Sequence, residues 1–389
     1  MSKLRIAPSQ DLCHLRDDGY DIEIRERFLL VRSVPYLNAK RETLRGTLVM
    51  ELQWAGDVAA PPPSHVAYFI GEAPCHEDGR AMTEIITGSQ AQEIDKNLVI
   101  NHTFSAKPVE GPYPDFYQKV LRYILIISGP VDPGVTAKTY PVWEASEVES
   151  VFVYPDTATS RARIGLASQK LEIPKVGIVG LGGSGSYIFD LVAKTPVKEV
   201  HLFDGDIFLN HNAFRAPGAA SIEDLRSKLT KVEYFAKCYA KMRRGIIPHP
   251  APVSEANVEE LKEMNFVFLS MDGGELKKLI VKKLLEWGVP FIDVGMGLEL
   301  KGSSITGILA VTACTKEKND HVEANISFAD ATGEDDYAQN IQVADLNALN
   351  ATLAVIKWKK MLGFYHDFAH EYSSTYTLDG NKLINGDST

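Results

Sequence analysis

Two rhythms of apolar and polar positions run along this chain, and the change from one to the other lays out its elements. Period-two or continuous apolar runs bounded by turn residues predict strands over 28–34, 47–54 and 65–70, the last two separated by Pro61, Pro62 and Pro63. Helical spacing takes over at 114–127, where Phe116, Val120, Leu121, Tyr123 and Ile124 recur on one face. The chain loosens at 130–139, and an extended piece covers 151–154. From Arg161 a helix is expected up to Pro174, followed by a strand through Val176, Ile178 and Val179 that runs into a glycine-packed turn. A helix and a strand at 200–203 come next. Then follow a helix over 222–242, a Pro/His/Glu-rich connection and a strand at 266–270. A helix over 275–287 closes at Gly288, a C-cap glycine. A strand at 290–294, a hairpin through 306–312, an acidic loop at 316–336, a helix over 343–362 and an edge strand at 374–378 complete the reading. Strands alternating with helices after residue 150 predict an α/β fold with an open, largely parallel, Rossmann-like sheet that binds ligands at the strand carboxyl ends. Residues 1–150 read as a separate α+β domain, which divides the chain into 1–150 and 151–389. The boundary falls between 141 and 159.

Composition narrows the classes. With 389 residues the chain has room for two or three domains, and 45% apolar with 24% charged residues is the balance of a soluble globular protein. The formal net charge of -10 argues against a broad phosphate-neutralising face, so nucleic acid is not expected as the main partner. No apolar run approaches a membrane span, and the N-terminal stretch has scattered charges rather than a secretory pattern. The four cysteines (Cys13, Cys75, Cys238, Cys314) lie far apart with no Cys-x-x-Cys pair. Neither a zinc ribbon nor a disulfide framework is expected, and the reading is a reduced, cytoplasmic protein.

The chemistry concentrates in residues 176–215. Gly180, Gly182 and Gly185 satisfy G-x-G-x-x-G after a strand and before a helix, the arrangement that seats phosphates on a helix N-terminus. Asp204 ends the next strand at the distance of a ribose-binding acid. To this point an NAD-dependent oxidoreductase reads the same. The full run Gly180, Gly182, Gly183, Gly185, Ser186, then Asp204 and Asp206 in LFDGD, then Asn212 and Arg215 in HNAFR, resembles the ubiquitin-activating enzyme superfamily of the ThiF/HesA/MoeB type. Lys231 in TKVEYFAK and Asp272 in SMDGG continue the same order, and the resemblance covers about 160–362. Residues 1–150, with the stretch NHTFSAKPVEGPYPDFYQKVLRYI, resemble the leader domain of bacterial members with ubiquitin-like and conjugating partners.

The resemblance implies an adenylyltransferase that uses ATP and Mg2+ on the C-terminal carboxylate of a ubiquitin-like protein. Arg215 and Lys231 would neutralise the phosphates, Asp272 would hold Mg2+, Asp204 would accept from the ribose, and Asp206 and Asn212 would shape the loop. Lys231 is preferred to Lys228 because its flanking residues fit the helix start. Family members use an arginine ahead of the glycine turn in the partner copy's site. Arg161, or Arg163, stands in that place and implies a homodimer.

The family's catalytic cysteine is missing from the crossover at 315–342, as are its zinc cysteines. Cys314, just before the crossover, is the one candidate for a thioester, and its strand setting makes a buried thiol equally compatible. The acyl group would then pass directly to an acceptor or to a conjugating enzyme. Cys75, His102 and His211 read as structural residues. Besides the oxidoreductase, a nucleotide-binding scaffold without turnover stays open.

Overall fold

The computed structural model describes residues 9–145, 150–328 and 341–386. Contacts cluster the chain into two units: residues 1–149 with 154–163, and residues 150–153 with 164–389.

The first unit is built on a six-stranded antiparallel sheet. Its strands are β1 (Ile22–Arg25), β2 (Phe28–Leu37), β3 (Thr43–Glu51), β4 (Val66–Ile70), β5 (Ile86–Gly88) and β6 (His102–Ser105), in the order β1-β2-β3-β4-β6-β5. β2 runs past the expected end at residue 34. Ser33 at φ 60° makes a bulge between Val31 and Val34, and the strand continues through Pro35. Helix α1 (Gln10–Asp17) precedes the sheet and α2 (Phe116–Ser128) follows it. Asp115 caps α2 by accepting from Gln118 N at 2.7 Å. The helix lays Phe116, Val120, Tyr123 and Ile127, all fully buried, on the sheet. α1, β1, β5 and β6 were not expected; these segments of three to eight residues carry too little periodicity to register.

Where one helix was expected between Arg161 and Pro174, the chain makes two short ones, α3 (Thr157–Ala162) and α4 (Gly165–Gln169). Arg163 stands in the left-handed region at φ 57°, which ends the first.

The second unit carries an eight-stranded sheet. Its strands are β7 (Lys175–Val179), β8 (Glu199–Phe203), β9 (Ile246–His249), β10 (Phe266–Leu269), β11 (Phe291–Lys301), β12 (Ser304–Cys314), β13 (Ser373–Thr377) and β14 (Lys382–Gly386). The order is β9-β8-β7-β10-β11-β12-β13-β14, parallel through β11 and antiparallel beyond. The helices are α5 (Gly183–Ala193), α6 (Asn210–Ala213), α7 (Ile222–Arg226), α8 (Lys231–Tyr239), α9 (Glu275–Trp287), α10 (Val322–Asn325) and α11 (Ala344–Met361). Both sheet faces are covered, as a parallel sheet requires. Val200, Leu202, Phe266 and Phe268 point to one core with Ile188 and Phe189 of α5 and Trp358 of α11. Phe203, Val267 and Leu269 point to the other with Ile280 and Leu284 of α9.

Four sequence expectations change here. The single helix over 222–242 is two, broken at Lys228 (φ 51°) and restarted by a capping box in which Thr230 and Glu233 satisfy each other's backbone N–H. The Pro/His/Glu-rich connection contains β9. The strand expected at the edge over 374–378 is not the edge, because β14 pairs outside it. The expected loop at 316–336 includes α10, and its residues 329–336 lie outside the described residues. Strand order reverses between β7 and β10, which makes their carboxyl ends the topological switch point of the sheet.

Candidate functional site

Gly180 follows β7 at this switch point. It sits at φ +84°, and a Cβ there would lie 2.2 Å from the Ser270 carbonyl oxygen at the end of β10. A Cβ on Gly185 would lie 1.9 Å from the Gly180 carbonyl oxygen, and one on Gly183 would lie 2.0 Å from Asn347 Nδ2. Three glycines are therefore needed for close approach of backbone to neighbours, while Gly182 faces open space. Gly182 is also the N-cap of α5 and has no side chain to satisfy the first N–H groups of that eleven-residue helix. Ser186 is fully buried and turns its hydroxyl back to the Gly183 carbonyl at 2.7 Å, so it braces the turn from inside.

Asp204 fixes the turn from the β8 side. Its carboxylate accepts from Leu181 N at 2.7 Å and from Asp206 N at 2.9 Å. Lys231, the first residue of α8, places Nζ 2.6 Å from Asp206 Oδ2 and 3.4 Å from Asp204 Oδ2. Lys231 and Asp204 are each 8% exposed, whereas Asp206 is 76% exposed, so the shorter ion pair is the solvent-screened one. Asn212 Oδ1 accepts from Leu209 N at 2.9 Å and closes the loop into α6. Among the described residues, the buried Asn212 Nδ2 and Arg215 Nε have no hydrogen-bond partner. Burial lowers the Arg215 pKa, and the Asp272 carboxylate opposes that shift. Desolvation, with Arg215 and Lys231, holds His211 below the usual imidazole range, which places all three in one electropositive neighbourhood. The structure thus gathers the glycine turn, Asp204, Asp206, Asn212, Arg215 and Lys231, with Asp272 exposed at the β10 end.

Residues 158–378, more than half of the chain, match the sequence profile described as ThiF family. The chain belongs to the ThiF family. That family is of the adenylyltransferase type, which uses ATP. Residues 10–157 match a domain of unknown function, DUF6791. Solved structures similar to this chain include E. coli MccB with MccA-N7isoASN, at 19% identity and TM-score 0.47, covering 57% of this chain and 66% of that one. E. coli MccB with ATP gives 18% identity and TM-score 0.45, again covering 57% and 66%. PaaA gives 16% identity and TM-score 0.47, covering 74% and 92%. The chain thus spans 66% of the length of MccB. No curated protein matches it.

Two residues of the ThiF unit escaped the sequence reading. Asn347 of α11 donates to the Arg215 carbonyl at 3.3 Å and accepts from Ser184 Oγ at 3.3 Å, while filling the space that a side chain at 183 would need. It ties the Arg215 loop to the glycine turn. Asn350, one turn on, donates to the Gly295 carbonyl at 3.0 Å. Two asparagines three apart on the buried face of an apolar helix were the available clue.

The remaining candidates stand in their own surroundings. Cys314 ends β12 at 1% exposure, and burial pushes its thiol up to about 12, the reverse of a reactive thiolate. Arg161 is exposed on α3 and belongs to the first unit. In that unit, Cys75 is buried and His102 Nδ1 lies 2.9 Å from Ser89 Oγ.

Proposed function

We propose that the ThiF unit uses ATP and Mg2+ to adenylate the C-terminal carboxylate of a ubiquitin-like protein, for transfer to a conjugating partner or other acceptor. The observation that carries this reading is the pairing, at one switch point, of a side-chain-free phosphate cradle with two cations, Lys231 and an Arg215 whose Nε is unpartnered. The substrate carboxylate attacks the α-phosphorus, the bond to the pyrophosphate oxygen breaks, and both leaving and attacking groups are anionic. The open N–H groups at the start of α5 would take phosphate oxygens. Arg215 would meet them as a fork, and Lys231 as a point charge that exchanges its exposed partner Asp206 for phosphate. Asp204 would face the ribose while its bonds to Leu181 and Asp206 hold the turn. Asp272 would hold Mg2+, which when bound supplies charge neutralisation at the phosphate oxygens.

A ubiquitin-like tail ending in glycine suits this reading because it has no side chain to obstruct entry between the glycine turn and the Arg215 loop. The exposed Arg161 is proposed to reach the nucleotide of a second copy, which makes the working form a homodimer. With Cys314 buried, the acyl group would leave the adenylate for an external acceptor rather than form a thioester on this chain.

The deciding measurement is ATP–pyrophosphate exchange in the presence of candidate ubiquitin-like proteins, followed by intact mass. We expect exchange with at least one candidate and an AMP adduct on it, with no thioester on this chain. Absence of exchange with every candidate would leave a nucleotide-binding scaffold as the better account.

A further inference from the structure

At the end of the parallel strands opposite the glycine turn, the second unit encloses a cavity of about 570 Å³, a size suited to a small ligand. Phe266 at the start of β10, Pro290 before β11 and Met361 at the end of α11 give it apolar walls. Its floor is ionic. Lys360 Nζ lies 2.8 Å and Lys357 Nζ 3.3 Å from Glu371 Oε1, and both lysines lie 3.6 Å from Asp367.

Both lysines spend their ion pairs on the same oxygen of Glu371. Glu371 is 5% exposed, and among the described residues its buried Oε2 accepts no hydrogen bond. Burial pushes the Glu371 carboxyl up, but Lys360, the residue's own backbone N–H and Lys357 together outweigh it and hold it below the usual carboxylate range. Glu371 lines the cavity, and a carboxylate oxygen there without a donor is a vacancy for a cationic N–H group.

The rest of the lining sets the sign of what accompanies that group. Lys316, Lys357 and Lys360 face Glu317, Asp367 and Glu371, so the formal charges cancel. A purely cationic or anionic guest would bring uncompensated charge into a half-closed space, whereas a guest carrying both signs would not. Among the described residues Lys316, at the mouth, has no carboxylate partner and offers the matching cation.

We propose that this cavity binds a small amino-acid-like zwitterion, its ammonium on Glu371 Oε2 and its carboxylate on Lys316. The proposal does not depend on the nucleotide reading, because none of these residues belongs to that site.

The test is isothermal titration of the full chain with each of the twenty L-amino acids, and with the α-hydroxy acid analogue of any that binds. One or a few amino acids should bind, and the hydroxy acid, which lacks the ammonium, should not. Glu371→Gln should weaken binding by about tenfold or more, the usual loss for a hydrogen bond to a charged group, while ATP binding stays as in the wild type. Lys316→Ala removes an exposed side chain and serves as the second variant should Glu371→Gln fail to fold. It should weaken the same amino acid with no change in melting temperature. The idea is overturned if no amino acid binds, if the hydroxy acid binds equally well, or if the folded variants retain wild-type affinity.

Discussion

Lys231 owes its position to its neighbours in sequence. The Thr230–Glu233 box restarts the chain as α8 directly before it, so its side chain leaves the first turn of a helix toward Asp204 and Asp206. Lys228, the other lysine of the segment, stands instead at a left-handed kink. Removing Lys231 leaves the buried Asp204 with its two backbone donors, Leu181 N and Asp206 N, and therefore leaves the fold intact. Removing Asp272 takes an exposed carboxylate from the end of β10. Both variants, Lys231→Ala and Asp272→Ala, are expected to lose pyrophosphate exchange by about 10²–10³, the usual loss of one transition-state contact, while melting within a degree or two of the wild type. Exchange near the wild-type rate in a well-folded variant would remove that residue from the site.

At the scale of elements, the cradle depends on α5 being held at both ends. Its N-terminus is the glycine turn. Its C-terminus and the turn into β8 are gathered by Arg243, 1% exposed, which donates to the Ala193 and Thr195 carbonyls at 3.4 Å, to Val197 at 2.5 Å and to Lys198 at 3.3 Å. Burial lowers its pKa to about 10, which still leaves the guanidinium charged at neutral pH. Arg243→Met should leave those carbonyls unsatisfied and destabilise the second unit by about 2–4 kcal/mol, the range for stranded buried polar groups. Urea unfolding followed by circular dichroism checks it, and a loss under 1 kcal/mol would mean that water or a shifted backbone replaces the fork. Arg243 was invisible in the sequence because its hold on these four carbonyls depends on where β8 and α5 meet. The glycine turn, Asp204 and the strand at 266–270 were legible because each follows from local pattern: apolar run, turn, helix. The break between α7 and α8 was not, since the apolar spacing over 222–242 continues across it and only the Thr230 cap marks it. Asn347 was missed for a related reason. It serves residues 183 and 215 from α11, more than a hundred positions away, and the chain order of a helical asparagine carries no record of that.

For the molecule as a whole, the two units have their own cores, and pH should act on them differently. The first unit buries Lys119 completely on the sheet-facing side of α2, with Nζ donating to the Ser64 carbonyl at 2.9 Å and the Val66 carbonyl at 2.7 Å. Burial lowers its pKa from 10.5 to about 8, against a weaker opposing pull from Glu51. Between those two values the unfolded chain binds the proton that the folded unit releases. Stability therefore rises with pH across that window, and the contribution is lost as pH falls through about 8. The full term amounts to about 3 kcal/mol. Tyr20, pushed up to about 12 by burial first and Asp18 second, works the other way above its ordinary value near 10. That opposing term is common to the wild type and Lys119→Met, so the difference between them isolates the lysine. Urea midpoints of the two proteins should separate in favour of the wild type as pH is raised from 8 to 10, whatever their offset at pH 7. A difference that stays flat over that interval would show that Lys119 keeps its proton, and that its two carbonyl partners outweigh the burial.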